Sequence, residues 1–203
     1  WWRRHAAGTA AIVPHAMAAA SFTLMACEII LIFAFQAFYG HLYYRISLLI
    51  SGLMLGMAMG SWAGTRTVEH STAGTLIRIH FAWIALCGLL AAGAAWMSGR
   101  EAAPLYGLEF VFVLLAAAAG ALAGYEFPAA NHLFMTGGGH DEPRLGRVYG
   151  ADLLGSCLGA LLTAMALLPL LGLYETLLAL VAVNALAVIG LRAAVSRDRQ
   201  RPA

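Results

Sequence analysis

Six stretches of this chain run apolar without the alternation of a half-exposed strand and without the charged stripe of a soluble amphipathic helix. They cover about 16–38, 46–63, 79–97, 105–127, 148–168 and 175–191. About 20 helical residues cross a hydrocarbon core of ~30 Å, and a crossing segment must bond its backbone internally because no water is at hand. Continuous apolar sequence argues against barrel strands, which alternate. The pattern predicts an all-α integral membrane protein with a six-helix transmembrane domain over residues 1–192 and a basic tail, interfacial or disordered, over 193–203. Breakers refine the boundaries: Pro104 is expected to open the fourth helix, Pro128 to follow its end, and Pro169 with Gly172 to turn the chain between the fifth and sixth.

Small residues recur within two of these helices. Gly52, Gly56, Gly60 and Gly64 repeat at every fourth position of the second, and Ala151, Gly155, Gly159 and Thr163 do the same in the fifth. Such bare faces let helix backbones approach closely in lipid. The two ladders occupy the middle helices of helices one to three and four to six, which suggests two three-helix repeats of inverted topology, as transporters use.

Composition sharpens the class. Of 203 residues 62% are hydrophobic and 11% charged, against about 25% charged in soluble domains. All twelve basic residues are arginine. With six crossings, Arg3, Arg4, Arg66, Arg78, Arg144, Arg147, Arg192, Arg197, Arg199 and Arg201 share one side, while Arg45 and Arg100 lie on the other. That bias is expected to place both termini in the cytoplasm. The arginines then face a membrane surface, and nothing interleaves them with aromatics as a nucleic-acid binder would. Cys27, Cys87 and Cys157 stand singly in three helices and read as small apolar residues. The chain opens Trp1-Trp2-Arg3-Arg4 without Met, so a further domain outside these residues is kept in view.

Polar residues inside hydrocarbon are costly, which makes each a functional candidate. Glu28, near the middle of helix one, is expected to face the bundle interior as the neutral acid, bonded to Asn184, Gln36 or Thr23. Glu28, Gln36 and Asn184 are thus the substrate- or proton-coupling candidates. Glu126 and Asp152 fall about one turn from the cytoplasmic boundary, within reach of Arg66, Arg144 and Arg147, and these five residues form a candidate cytoplasmic gate. His15, His80 and His132 lie near the same boundary, where two of them would suit a b-type haem. Interfacial or hydrogen-bonded histidine is the commoner use, so the expectation is no cofactor and no metal.

Three blocks carry a family resemblance: FQAFYGHLYYRISLLISGLMLGMAMGSWAG (35–64), GYEFPAANHLF (124–134) and GRVYGADLLGSCLGALLTAMALLPLLGL (146–173). They resemble the membrane domain of spermidine-synthase-like bacterial proteins, in which a major-facilitator-like membrane region is joined to an aminopropyltransferase-like domain. Residues 56–66, GMAMGSWAGTR, also resemble the loop between helices two and three of major facilitator transporters, with Thr65 where that family places an acid. The resemblance implies a transporter-like fold; with the family's acid absent from this loop, Asp152 at the start of helix five is the candidate partner carboxylate to Arg66. It does not bring the enzyme: Gly137-Gly138-Gly139-His140-Asp141 follows a membrane helix and not a strand, and a lone glycine run is weak evidence of a nucleotide loop. The expected function is a non-catalytic, transporter-like membrane module. A structural or docking subunit of a larger membrane complex is the alternative. Six helices are half of a twelve-helix facilitator, so the expected partners are the bilayer and a second copy or other membrane subunits.

Overall fold

A backbone that cannot bond to water bonds to itself, and this chain does so almost throughout. The structure, a computed structural model, describes residues 7–39, 43–97, 107–136 and 143–200. Six helices follow in order: α1 (Ala7–Tyr39), α2 (Tyr43–Thr67), α3 (Ala73–Met97), α4 (Leu108–Thr136), α5 (Pro143–Leu162) and α6 (Leu173–Gln200). Val68–His70 is a 3₁₀ turn after α2, and Thr163–Leu171 continues α5 in wider π-helical turns. There is no strand among the described residues, and all six helices are long and apolar enough to cross a membrane. The protein is an all-α, six-span membrane protein.

The helices outrun the apolar stretches that mark them, because a helix continues past the hydrocarbon into the interface. Pro128 does not end α4, which runs on to Thr136. In a packed membrane helix neighbours absorb the missing N–H, and the Pro128 ring lies against Gly64 of α2. The tail stays helical to Gln200, and Asp198, largely buried, accepts a hydrogen bond of 3.0 Å from the Gly8 N–H at the start of α1. A carboxylate there satisfies one of the unpaired amides of a helix N-terminus and complements its dipole. At the end of α5, Pro169 has no N–H to give and its ring crowds the preceding turn. The wider π turns accommodate it, and Gly172, at φ 87°, turns the chain into α6. Pro104 lies outside the described residues, as do the side chains of Arg45 and Arg144.

α2 packs most extensively on α4, α1 on α5, and α3 on α6. The glycine ladders make the first two possible. A Cβ on Gly56 or Gly60 would fall on the backbone of Ala117 or Ala121, and one on Gly155 or Gly159 on the backbone of Ala18 or Phe22. Gly120 and Gly124 of α4 meet Leu53 and Met57 in the same way, so the α2–α4 seam is bare on both sides. With no hydrophobic effect between helices in lipid, dispersion at this range and backbone contact hold the pairs.

These contacts also define an internal repeat. Gly56 and Gly155 stand 99 positions apart, as do Gly60 and Gly159, and so do the residues they meet, Ala18 and Ala117, Phe22 and Ala121. The same interval carries buried Val13, Met17, Ala20, Leu24, Ile30 and Phe35 of α1 onto buried Phe112, Ala116, Ala119, Ala123, Ala129 and Phe134 of α4. Phe35 meets Phe112 edge-on at 5.5 Å, the end of α1 against the start of α4. The two helices are therefore antiparallel. The pair α1 and α5 maps onto the pair α4 and α2, an internal repeat of inverted topology over these four helices.

Gly60→Leu and Gly159→Leu should each lower the yield of folded protein and its melting temperature in detergent, since overpacking costs about 1–3 kcal/mol and here meets backbone. Gly88→Ala is the control: a Cβ there has nothing within 4 Å, and alanine raises helix propensity by about 1 kcal/mol. Equal melting temperatures for all three variants would contradict the packing described.

Candidate functional site

In the middle of the bundle, side chains from four helices join in one polar chain. Thr23 comes from α1, His80 and Trp83 from α3, Glu126 from α4 and Asn184 from α6, and all five are fully buried. His80 and Trp83 stand three apart on one helix face. That spacing lets both reach toward Glu126. The Trp83 indole N–H donates to Glu126 Oε2 at 3.2 Å, and His80 Nε2 lies 3.6 Å from Glu126 Oε1. On its other side His80 Nδ1 is 2.9 Å from Asn184 Oδ1. Asn184 Nδ2 donates to Thr23 Oγ1 at 2.8 Å and to the Leu180 carbonyl at 2.9 Å, and Thr23 Oγ1 donates to the Ala19 carbonyl at 2.8 Å.

The chemistry of the ends fixes the direction of every bond. An indole N–H can only donate and a carbonyl can only accept. Thr23 gives its one hydrogen to Ala19, so it accepts from Asn184. Asn184 spends both amide hydrogens on Thr23 and Leu180, so its Oδ1 must accept, and His80 Nδ1 must carry a hydrogen. Glu126 Oε2 accepts from Trp83. One position is left: the gap between His80 Nε2 and Glu126 Oε1, two buried atoms with no hydrogen-bond partner. Their separation exceeds a hydrogen bond and is too small to hold a water between them. A single proton in this gap makes either a neutral imidazole with a carboxylic acid or an imidazolium with a carboxylate. The surrounding chain is compatible with both forms.

A second polar contact lies beside the first. Asp152, half-buried on α5, is hydrogen-bonded to Ser21, buried on α1, and Ser21 Oγ is also 2.9 Å from the Met17 carbonyl. Of the expected gate, the structure describes the side chains of Arg66, Glu126, Arg147 and Asp152, and it does not join them. Glu126 contacts Trp83 and His80, Asp152 contacts Ser21, Arg66 is exposed and stacks over Trp62, with Cζ 3.7 Å from the ring centroid, and Arg147 is exposed. Among the described residues no arginine pairs with Asp152; its hydrogen bond is to Ser21. Since α4 continues to Thr136, Glu126 sits about 15 Å from that helix end at 1.5 Å per residue, near mid-membrane and not at its edge.

Glu28 takes a different place from the one its depth suggested. It is half-buried among Leu31, Leu49, Leu53 and Ala116, bonded to none of Asn184, Gln36 or Thr23. Gln36 is likewise half-buried away from the chain. Asn184 belongs to the site through His80 instead. That commitment also removes His80 as a haem ligand, both ring nitrogens being turned to protein groups. His15 is exposed, and His132 keeps a buried Nδ1 without a hydrogen bond. Among the described residues no three His, Cys, Asp or Glu side chains gather as metal ligands.

Sequence reasoning missed two pairings. The His80 to Trp83 spacing opposite an acid carried the first signal, but α3 was expected to start at 79, which put His80 at the boundary; it starts at Ala73. The second has no sequence signal: Cys27 of α1 and Cys87 of α3 meet with sulfurs 3.8 Å apart, both fully buried, while Cys157 is exposed.

Asn184→Leu strands the His80 Nδ1 hydrogen, and Trp83→Phe strands Glu126 Oε2; each should cost about 1–3 kcal/mol, read as a lower melting temperature in detergent. Unchanged melting in both would show that the polar chain does not hold these helices. A membrane-permeant oxidant should join Cys27 to Cys87 and leave Cys157 free, as peptide mapping will show. A cross-link to Cys157 instead would contradict the α1–α3 contact.

No known protein family, curated protein or solved structure matches this chain, so the reading of the site rests on its geometry.

Proposed function

We propose that the chain is a transporter-like membrane module whose proton-coupling site is the His80–Glu126 pair. One observation carries this reading: two titratable side chains, fully buried near mid-membrane, face each other across a position for one proton. Ionisable residues at this depth are expensive and mark transport or proton pathways. The inverted repeat supports the same class, because transporters build such sites near the midplane between repeats that rock against each other. Resemblance to the membrane domain of spermidine-synthase-like, major-facilitator-like proteins agrees with it and brings no catalytic residue to this chain. The arginine distribution favours both termini inside, and the resemblance, which is to bacterial proteins, favours the bacterial cytoplasmic (inner) membrane. The module would work with a second six-helix unit, either another copy or a separate membrane subunit, and would move a small solute.

A docking subunit is the second reading, and a specific observation favours it. The polar chain is closed, whereas the cavity of about 830 Å³ at the far ends of α1 and α3 is lined almost wholly by apolar residues such as Ile30, Phe33, Leu89, Val111 and Leu173. The two readings separate in proteoliposomes under an imposed pH gradient, screened with a panel of organic amines and neutral solutes. Proton-driven uptake lost in Glu126→Gln, with folding retained, is the expected result. No uptake by the parent protein, together with stoichiometric co-purification of other membrane subunits, would replace the transporter reading with the docking one.

A further inference from the structure

α3 and α6 also correspond, at an interval of 101: buried Leu76, Ile79, Trp83 and Cys87 fall onto buried Leu177, Leu180, Asn184 and Val188. The two positions added to the interval of 99 lie where the π turns of Thr163–Leu171 stand between α5 and α6. By these intervals the residues lining the cavity of about 830 Å³ have counterparts at the opposite end of the bundle. Ala34, Ala37, Gly93, Ala94 and Ala95 of the lining correspond to the larger Leu133, Thr136, Ala194, Val195 and Ser196. Leu90 and Leu115, half-buried at the cavity, correspond to Leu191 and Ala16, which are buried. Small side chains at one end of a repeated scaffold therefore open this space.

The lining has a chemistry of its own. Its apolar wall reaches about 10 Å into the membrane along α1, from Ala37 to Ile30 at 1.5 Å per residue. Phe33, Phe112 and Tyr174 bring aromatic rings to it, and among the described lining residues the one charged side chain is Glu175. Glu175 stands in the first turn of α6, two residues into its span, so the carboxylate lies at the membrane-surface end of the cavity. Apolar pockets of roughly 300–1,000 Å³ with a few placed polar groups suit small-molecule ligands. An acid beside aromatic faces attracts a cation, because ring faces carry the negative end of the quadrupole. The wall behind them admits that cation only if its body is apolar. Resting on the transporter-like reading above, we infer that this cavity is the module's solute site and takes a lipophilic organic cation, with its charge at Glu175 and its body against Ile30 and Leu177. A polyvalent amine would bring unpaired charge against the apolar wall. Cys27, Cys87 and Leu180 each stand three residues from a lining residue, toward the polar chain, and all three are fully buried. Solute and proton thus occupy different depths.

Tetraphenylphosphonium and tetraphenylborate share a shape and differ in the sign of their charge. Equilibrium dialysis of the full chain in detergent, against detergent alone, should show saturable binding of the cation and borate binding weaker by roughly ten-fold or more. Glu175→Gln should weaken cation binding by roughly ten-fold with the melting temperature little changed. Gly93→Leu fills the cavity without meeting backbone, since a Cβ there has nothing within 4 Å, and should abolish binding in a protein that still folds. Equal binding of the two ions, or cation binding untouched by both variants, would overturn the inference and leave the cavity to lipid or to a partner helix. Proteoliposomes separate the inference from the reading beneath it. Cation binding in the cavity with no proton-driven uptake of any solute would uphold the site and defeat the coupling reading; proton-driven uptake with no cation binding would do the reverse.

Discussion

Backbone against backbone is the contact on which this molecule depends. In lipid the apolar side chains gain nothing by leaving one hydrocarbon for another, so helices adhere only as far as their surfaces match closely. Bare glycine faces give α2 and α4, and α1 and α5, that match, with glycine on both sides of the α2–α4 seam. The polar chain follows from it. Once α1 and α4 are pinned by their partners, α3 and α6 bring His80, Trp83 and Asn184 to the fixed positions of Glu126 and Thr23. A buried hydrogen-bond chain is tolerable only if its members are so placed, because each unpaired group in a low-dielectric interior costs more than a made bond returns.

Much of the architecture was legible from hydropathy, because the bilayer imposes one length and one backbone solution on every crossing. The glycine ladders were legible as well, though not their partners: a small residue every fourth position states that something comes close without saying what. The site was harder to read. Pro128 reads as a helix end by a rule drawn from water, where a lost hydrogen bond is exposed to competition, and that reading puts Glu126 about one turn from the boundary, whereas α4 runs on to Thr136. Glu28 drew attention by depth along its helix, yet depth says nothing about azimuth. Rotation about the helix axis turns Glu28 toward Leu49 and Leu53 while its neighbour Cys27 faces the core. Arg66 and Asp152 looked complementary in charge, but the Arg66 guanidinium found an aromatic face beside it on its own helix.

The repeat explains where polarity was free to appear. Glu126 corresponds to Cys27, Asp152 to Leu53 and Ser21 to Gly120, all at one interval, and each correspondence pairs a polar group in one place with a small or apolar one in the other. A scaffold of two equivalent halves supplies two equivalent pockets. Occupying one with chemistry and filling the other with packing gives the membrane protein a direction that its backbone symmetry lacks.

The ladders also have a mechanical meaning. Two helices locked by backbone contact along several turns bend and slide far less than two helices meeting through flexible side chains, so α1 with α5 and α2 with α4 act as stiff beams. Asn184 to Thr23, Trp83 to Glu126 and His80 to Glu126 all run between a beam and one of the two remaining helices, α3 and α6. Strain introduced by adding or removing one charge at Glu126 therefore cannot dissipate within a beam; it is delivered to the joints, where a small change in tilt at mid-membrane becomes a larger displacement at either surface.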